Sequence, residues 1–165
     1  MVVEQQIQVH DVSANPNIQE VVGKVTTTNY EAVDCTDNRF FISGSLSGGI
    51  VKLTVVAELP DGTRGAVRGG EFFQTMIDHF GLANIKSIEG EWTTGDPDLA
   101  TNINAFNKAT AAGDTDKVAA TKTATGRLAA RVGLTEVVYI RALPAKAAGR
   151  YTDVLARFAR PQAGP

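Results

Sequence analysis

Apolar and polar positions along this chain follow two different periods. Up to about residue 60 the period is two. Ile7, Val9 and Val12 alternate with polar residues, and the turn Asn15-Pro16-Asn17 separates them from Ile18 to Tyr30, which carries Val21, Val22 and Val25 beside a run of threonines. Arg39-Phe40-Phe41-Ile42-Ser43 reads as a short apolar strand, and Ile50 to Leu59 (IVKLTVVAEL), opened by Gly48-Gly49, as a longer one. Pro60-Asp61-Gly62 is a turn in which proline presets φ and glycine supplies a positive φ. Thr63 to Arg68 is then expected to return as an antiparallel partner.

From Gly70 the period lengthens. Phe72, Phe73, Met76, Ile77 and Phe80 form one stripe at helical spacing, and Gly81 stops the helix as a C′ glycine does. Ile85 to Trp92 reads as a strand and Thr93 to Pro97 as a loop. Asp98 is placed to cap a helix that turns Leu99, Ile103 and Phe106 inward, until Gly113 breaks it. Asp114 or Thr115 starts another helix running to Val132, with Val118, Leu128, Ala129 and Val132 inward. Gly126 costs its middle roughly 1 kcal/mol relative to alanine, which leaves open whether that helix is one piece or two. Gly133 ends it. Val137 to Leu143 and Tyr151 to Phe158 are strands, joined by PAKAAGR into an antiparallel hairpin.

These elements predict an α+β fold. A β-rich N-terminal half precedes a mixed β-α-β-α-α-β-β unit, with a mainly antiparallel sheet. The 165 residues suit one domain, with sub-units at 1–62 and 63–160 and the boundary near Asp61 to Gly70. Apolar residues at 43% and charged residues at 21% exclude a wholly disordered chain. The net charge of −2 carries no global signature of nucleic-acid binding. The distribution changes that picture: Lys117 to Arg160 holds nine basic residues against Glu136 and Asp153 alone. That is either a solvated face or a surface for phosphate, nucleotide or an acidic partner. Cys35, the single cysteine, lies far in sequence from both histidines and reads as a bystander. The first residues, MVVEQQIQVHD, have no basic n-region or apolar run, and no stretch reaches 18 apolar residues. No membrane partner is expected, and the chain is read as cytoplasmic or as delivered within a larger secreted protein.

Residues with chemical potential crowd between Gly65 and Trp92. His79 borders the apolar stripe at the end of its helix, as a packing and dipole partner or as a general acid or base. His10 is far away in sequence. Glu89-Gly90-Glu91 places two carboxylates on one side of a strand. ADP-ribosyl-transferring enzymes use a similar E-x-E with an upstream arginine on a strand. Arg68 can fill that place, although their intervening Ser-Thr-Ser element is missing here, and the alternative is a solvent-facing strand edge. Trp92 either closes a core or stacks on a base or nicotinamide. Lys122 to Arg127 (KTATGR) lacks the spacing of a P-loop. A helix beginning near Thr125 can nevertheless hold an anion, with Arg127 adding a two-pronged contact, or present an ordinary exposed face. Two distant histidines and one cysteine make no zinc site, and Pro97 spoils a calcium loop at Asp96, Asp98 and Asn102. No metal is expected, and no cofactor is specified.

The order RGGEFFQTMIDHFG, IEGEW, LATNINAFN, TATGRLAARVG, YIRAL and GRYTDVLARF resembles C-terminal domains of large bacterial polymorphic secreted proteins, of the YD-repeat and haemagglutinin type. The resemblance covers about residues 65–160. It implies a toxin or effector, paired with an immunity or delivery protein, without implying which reaction. The residues read beside it make the substrate a nucleotide or nucleic acid, with NAD or RNA as candidates. Arg68 and Arg127 would hold phosphate, Trp92 would stack, and His79 or Glu91 would move a proton, all in one cleft with Thr125. The alternative is a non-catalytic β-rich module that docks a partner protein.

Overall fold

The computed structural model describes residues 15–162. The expected strand at Ile7 to Val12 and the residue His10 lie outside the described residues. The fold is α+β, built on one seven-stranded sheet that continues through both halves of the chain. Its strands are β1 (Ile18–Glu20), β2 (Asn29–Asp34), β3 (Asp37–Ser47), β4 (Ile50–Val56), β5 (Ser87–Thr93), β6 (Glu136–Leu143) and β7 (Asp153–Ala159). Its helices are α1 (Gly69–Phe80), α2 (Thr101–Ala111), α3 (Asp116–Thr121) and α4 (Ala124–Arg131). The strand order is β1-β2-β3-β4-β5-β7-β6, antiparallel throughout except between β4 and β5. The chain must therefore cross over between those two strands, and α1 makes the crossover.

Alternation assigns the faces. Tyr30, Ala32, Ile42, Val51, Ile88, Val154, Ala156 and Phe158 point to one side and are buried. Over that side α1 covers β2 to β4, and α2, α3 and α4 cover β5, β6 and β7. The apolar stripe of α1 is wholly buried, and each of Phe72, Phe73 and Met76 contributes roughly 1.5–3 kcal/mol on leaving water. Gly44 of β3 is the socket for Met76: a Cβ there would come within 2.5 Å of the thioether sulfur.

Several sequence expectations change. Val21, Val22 and Val25 lie in a turn region rather than a strand, and Val22 is almost fully exposed. β3 runs for eleven residues, because Phe40, Ile42 and Gly44 continue one buried row through the serines. Thr63 to Arg68 is no strand. It touches Glu58 through a single bridge at Arg64, and its backbone is claimed by Asp34 instead. Asp98 does not cap α2: Asp96 accepts from the Asp98 amide and caps a single 3-10 turn, Pro97–Leu99. The helix expected from Asp114 or Thr115 to Val132 is two. Thr115 caps α3 and Thr123 caps α4, its Oγ1 accepting from the Gly126 amide at 3.0 Å. Val118 is exposed rather than inward.

Candidate functional site

β4 and β5 pair through three residue couples only, Ile50↔Ser87, Val51↔Ile88 and Lys52↔Glu89. Beyond them Leu53–Val56 stays with β3 and Gly90–Thr93 stays with β7, so the two strands part at their C-terminal ends. The helical layer divides above the same place, α1 to one side and α4 to the other. The result is a cleft of about 630 Å³, within the range of small-molecule sites. A crevice outside the carboxyl ends of parallel strands is where open sheets with helical crossovers take ligands.

One wall is apolar, made by Leu53, Val55, Val67, Trp92, Leu99 and Leu128. Around it stand Arg64, Arg68, Arg127 and Arg131, with Glu58, Glu91 and Asp98. Arg64 is paired with Glu58 at 2.6 Å, and Glu91 lies 3.7 Å from Arg141. Among the described residues Arg68, Arg127 and Arg131 are in no ion pair. Three unmatched cations thus share the hollow with one carboxylate, Asp98, that is in no ion pair either. Arg127 and Arg131 are four residues apart on α4 and so share a face. The Arg131 guanidinium lies against Gly70, whose missing Cβ would otherwise collide with Nη1.

The entry to α1 is fixed from below. Asp34 is fully enclosed, though in a shallow layer near the surface, and accepts from the amides of Ala66 (2.6 Å) and Val67 (2.9 Å) and from the Thr36 amide and hydroxyl. Burial alone would raise its pKa. The hydrogen bonds from Thr36, Val67 and Ala66 outweigh that and hold the carboxyl below its ordinary value. Glu71 closes the first turn of α1, accepting from the Arg68 amide at 2.9 Å and from Asn15 Nδ2 at 3.2 Å. Arg68 is therefore the N-cap of a helix and not a strand residue, and its side chain is exposed at the cleft.

Of the residues singled out from sequence, Arg68, Glu91, Trp92, Thr125 and Arg127 line this cleft together. His79 does not. It sits at the far end of α1, where Nε2 is 2.5 Å from the Thr26 carbonyl and the ring stacks on Tyr30 at 5.0 Å. The helix that carries both Arg68 and His79 separates them by its length, so the expected single cleft cannot hold both. Tyr30 Oη is buried there without a hydrogen-bond partner, and burial, then the charge of Glu20, pushes the phenol well above its usual pKa.

Trp92 is 4% exposed, lies across Gly90 and packs on Phe106, so it is a wall rather than a free stacking platform. Thr125 is buried and its amide is taken by Asn102 Oδ1 at 3.0 Å. The Glu89-Gly90-Glu91 pair does share a face, but β5 is an interior strand and not an edge. Glu89 is 6% exposed and is held by Arg157 at 2.8 Å, with Lys52 at 3.8 Å, which makes it part of a charge ladder on the helix-free face. Glu91 shares that helix-free face and lies beside Arg141, so it borders the cleft from the side of the sheet opposite Trp92. Sequence reasoning missed Arg131 as a site residue, although its spacing of four from Arg127 was the available signal. Among the described residues no group of histidine, cysteine, aspartate and glutamate could hold a metal, and no helix is long and apolar enough to cross a membrane. Compared with protein-family models, curated proteins and solved structures, the chain matches none.

Proposed function

We propose that this chain binds a small phosphorylated ligand of the nucleotide class in the cleft between β4 and β5, in the manner of a toxin or effector domain that acts on a nucleotide. The observation that carries this reading is a set of three arginines, Arg68, Arg127 and Arg131, in no ion pair among the described residues, around a hollow with an apolar wall. The cations suit phosphate oxygens, and the wall suits a flat apolar body such as a base.

A nucleic-acid substrate has less support. Much of the basic C-terminal quarter is spent inside the molecule: Lys122 on Asp114, Arg141 beside Glu91, Arg157 on Glu89, and Arg160 on the carbonyls of Leu82 and Ile85. The docking alternative draws on a different observation, the edge strand β6, which leaves Val138, Tyr139 and Leu143 exposed.

Calorimetric titration with NAD and with a short single-stranded RNA tests the reading, and following NAD over time separates binding from turnover. Saturable one-to-one binding of NAD is expected, weakened about tenfold by Arg127→Ala, the worth of a charge-assisted contact. Heat from RNA alone, or from neither ligand at millimolar concentration, overturns it.

A further inference from the structure

The face of the sheet turned away from the helices carries a continuous row of side chains. Strand register sets Ser45, Lys52, Glu89, Arg157 and Tyr139 side by side across β3, β4, β5, β7 and β6. At about 4.8 Å per strand the row is about 19 Å long. It floors a hollow of about 540 Å³, to which Ser47, Ile50 and Leu155 also contribute. Glu89 is the unusual member, because it is almost fully buried although no helix covers it. Arg157 donates to its Oε1 from Nη2 at 2.8 Å and from Nε at 3.2 Å. Oε2 accepts no hydrogen bond from the described residues, and the Lys52 ammonium stands off at 3.8 Å. An enclosed carboxylate gains from a donor on each oxygen, so this one has acceptor capacity to spare at the edge of a hollow.

The surroundings narrow what that donor belongs to. A cationic group would crowd Lys52 and Arg157, and an anionic group would face Glu89, so the bare oxygen is best matched by a neutral O–H or N–H. β4, β5 and β7 are interior strands paired on both sides along this row, so an extended peptide has no ladder to join. Recognition falls to side chains. Tyr139 presents a ring that is 44% exposed, with the Arg157 guanidinium carbon 5.7 Å from its centroid. Ser45 and Ser47 present hydroxyls at the β3 end of the hollow, and Ile50 and Leu155 supply apolar surface. A molecule rich in hydroxyls and carrying apolar C–H faces matches every one of these groups. We infer that the helix-free face holds a binding site for a neutral saccharide, with Glu89 as its hydrogen-bond acceptor and Tyr139 as its stacking ring. The site lies across the sheet from the cleft and does not depend on the nucleotide reading.

Amide NMR shifts of the full chain test the site during titration with maltotriose, cellotriose and chitotriose. At least one of the three is expected to give saturable shifts at residues 45–52, 87–91, 139–141 and 155–157. Tyr139→Ala and Glu89→Gln should each weaken that sugar about tenfold. The Tyr139 variant should keep its Tm, since the ring is exposed, and so separates a lost contact from a lost fold. Glucosamine and glucuronate should bind more weakly than glucose, and a preference for either overturns the neutral assignment. Three further outcomes overturn the site itself: no saturable shift with any trisaccharide at millimolar concentration, shifts centred on Arg68 and Arg127 instead, or an affinity that Tyr139→Ala leaves unchanged.

Discussion

Asp34 shows how much one side chain can organise. Two of its hydrogen bonds hold the amides that lead into Arg68, so it shapes the cleft without touching it. Replacing it with alanine takes a charged acceptor away from three amides and the Thr36 hydroxyl, which should cost about 3 kcal/mol. Because its folded pKa lies below its unfolded value, the stability it supplies is fully present above about pH 4 and is lost as the pH falls through the folded pKa. Urea midpoints of the natural chain and of Asp34→Asn, measured from pH 7 to pH 2, should converge at the acid end. A gap that stays constant over that range would mean the carboxylate is not the source. Sequence alone gave no sign of this role, since VDCTDN reads only as a turn and the partners are more than thirty residues away. Arg68, Glu91 and Arg127 were legible as candidates because charged residues beside turns and helix ends announce themselves. His79 is the exception, because it shares a helix with the Arg68 cap but stands at the helix's other end.

The helices were readable where punctuation and periodicity agreed. In α1, five apolar residues on one stripe and Gly81 after them left little freedom, and the observed span differs by one residue. Between Asp114 and Val132 they disagreed. By propensity Gly126 is the weak point, whereas the break comes at Lys122-Thr123 and Gly126 lies inside α4. Its role is packing. A Cβ at Gly126 would strike the Ala120 carbonyl oxygen and approach the Thr121 Cα at 3.0 Å, both backbone atoms that cannot swing aside. Alanine gains up to about 1 kcal/mol in helix propensity, but overpacking against backbone costs about 1–3 kcal/mol, so the clash wins. Gly126→Ala should therefore lower Tm by several degrees. An unchanged or higher Tm would show that α3 and α4 can move apart freely. The same approach sets where Arg127 emerges at the cleft, so the packing and the site are linked.

At the scale of the molecule, composition and the sequence of periods were enough for an α+β fold with a mainly antiparallel sheet. They could not supply the strand order. β5 pairs with β7 across sixty or more residues, and the single parallel joint depends on which faces match once the helices are in place. The cleft exists only because that joint is short, so it could not be read before the topology was known. The resemblance to secreted effector tips rests on short motifs. Those motifs include the residues that now surround the hollow, Arg68, Glu91, Trp92 and Arg127, and also Glu89, which serves the sheet instead.

The three-couple joint has one more consequence. It divides the molecule into a leading meander and a trailing unit that carries its own crossover helix, with the Pro60-Asp61-Gly62 turn exposed between them. Two separately made peptides, 1–61 and 62–165, should complement each other on mixing. The Met76 socket at Gly44 and the Val51–Ile88 couple would supply the recognition. Circular dichroism should then exceed the sum of the two halves, and Gly44→Val in the shorter peptide should abolish the gain. A spectrum that merely adds would show that covalent continuity through the turn, and not surface fit, holds the halves in register.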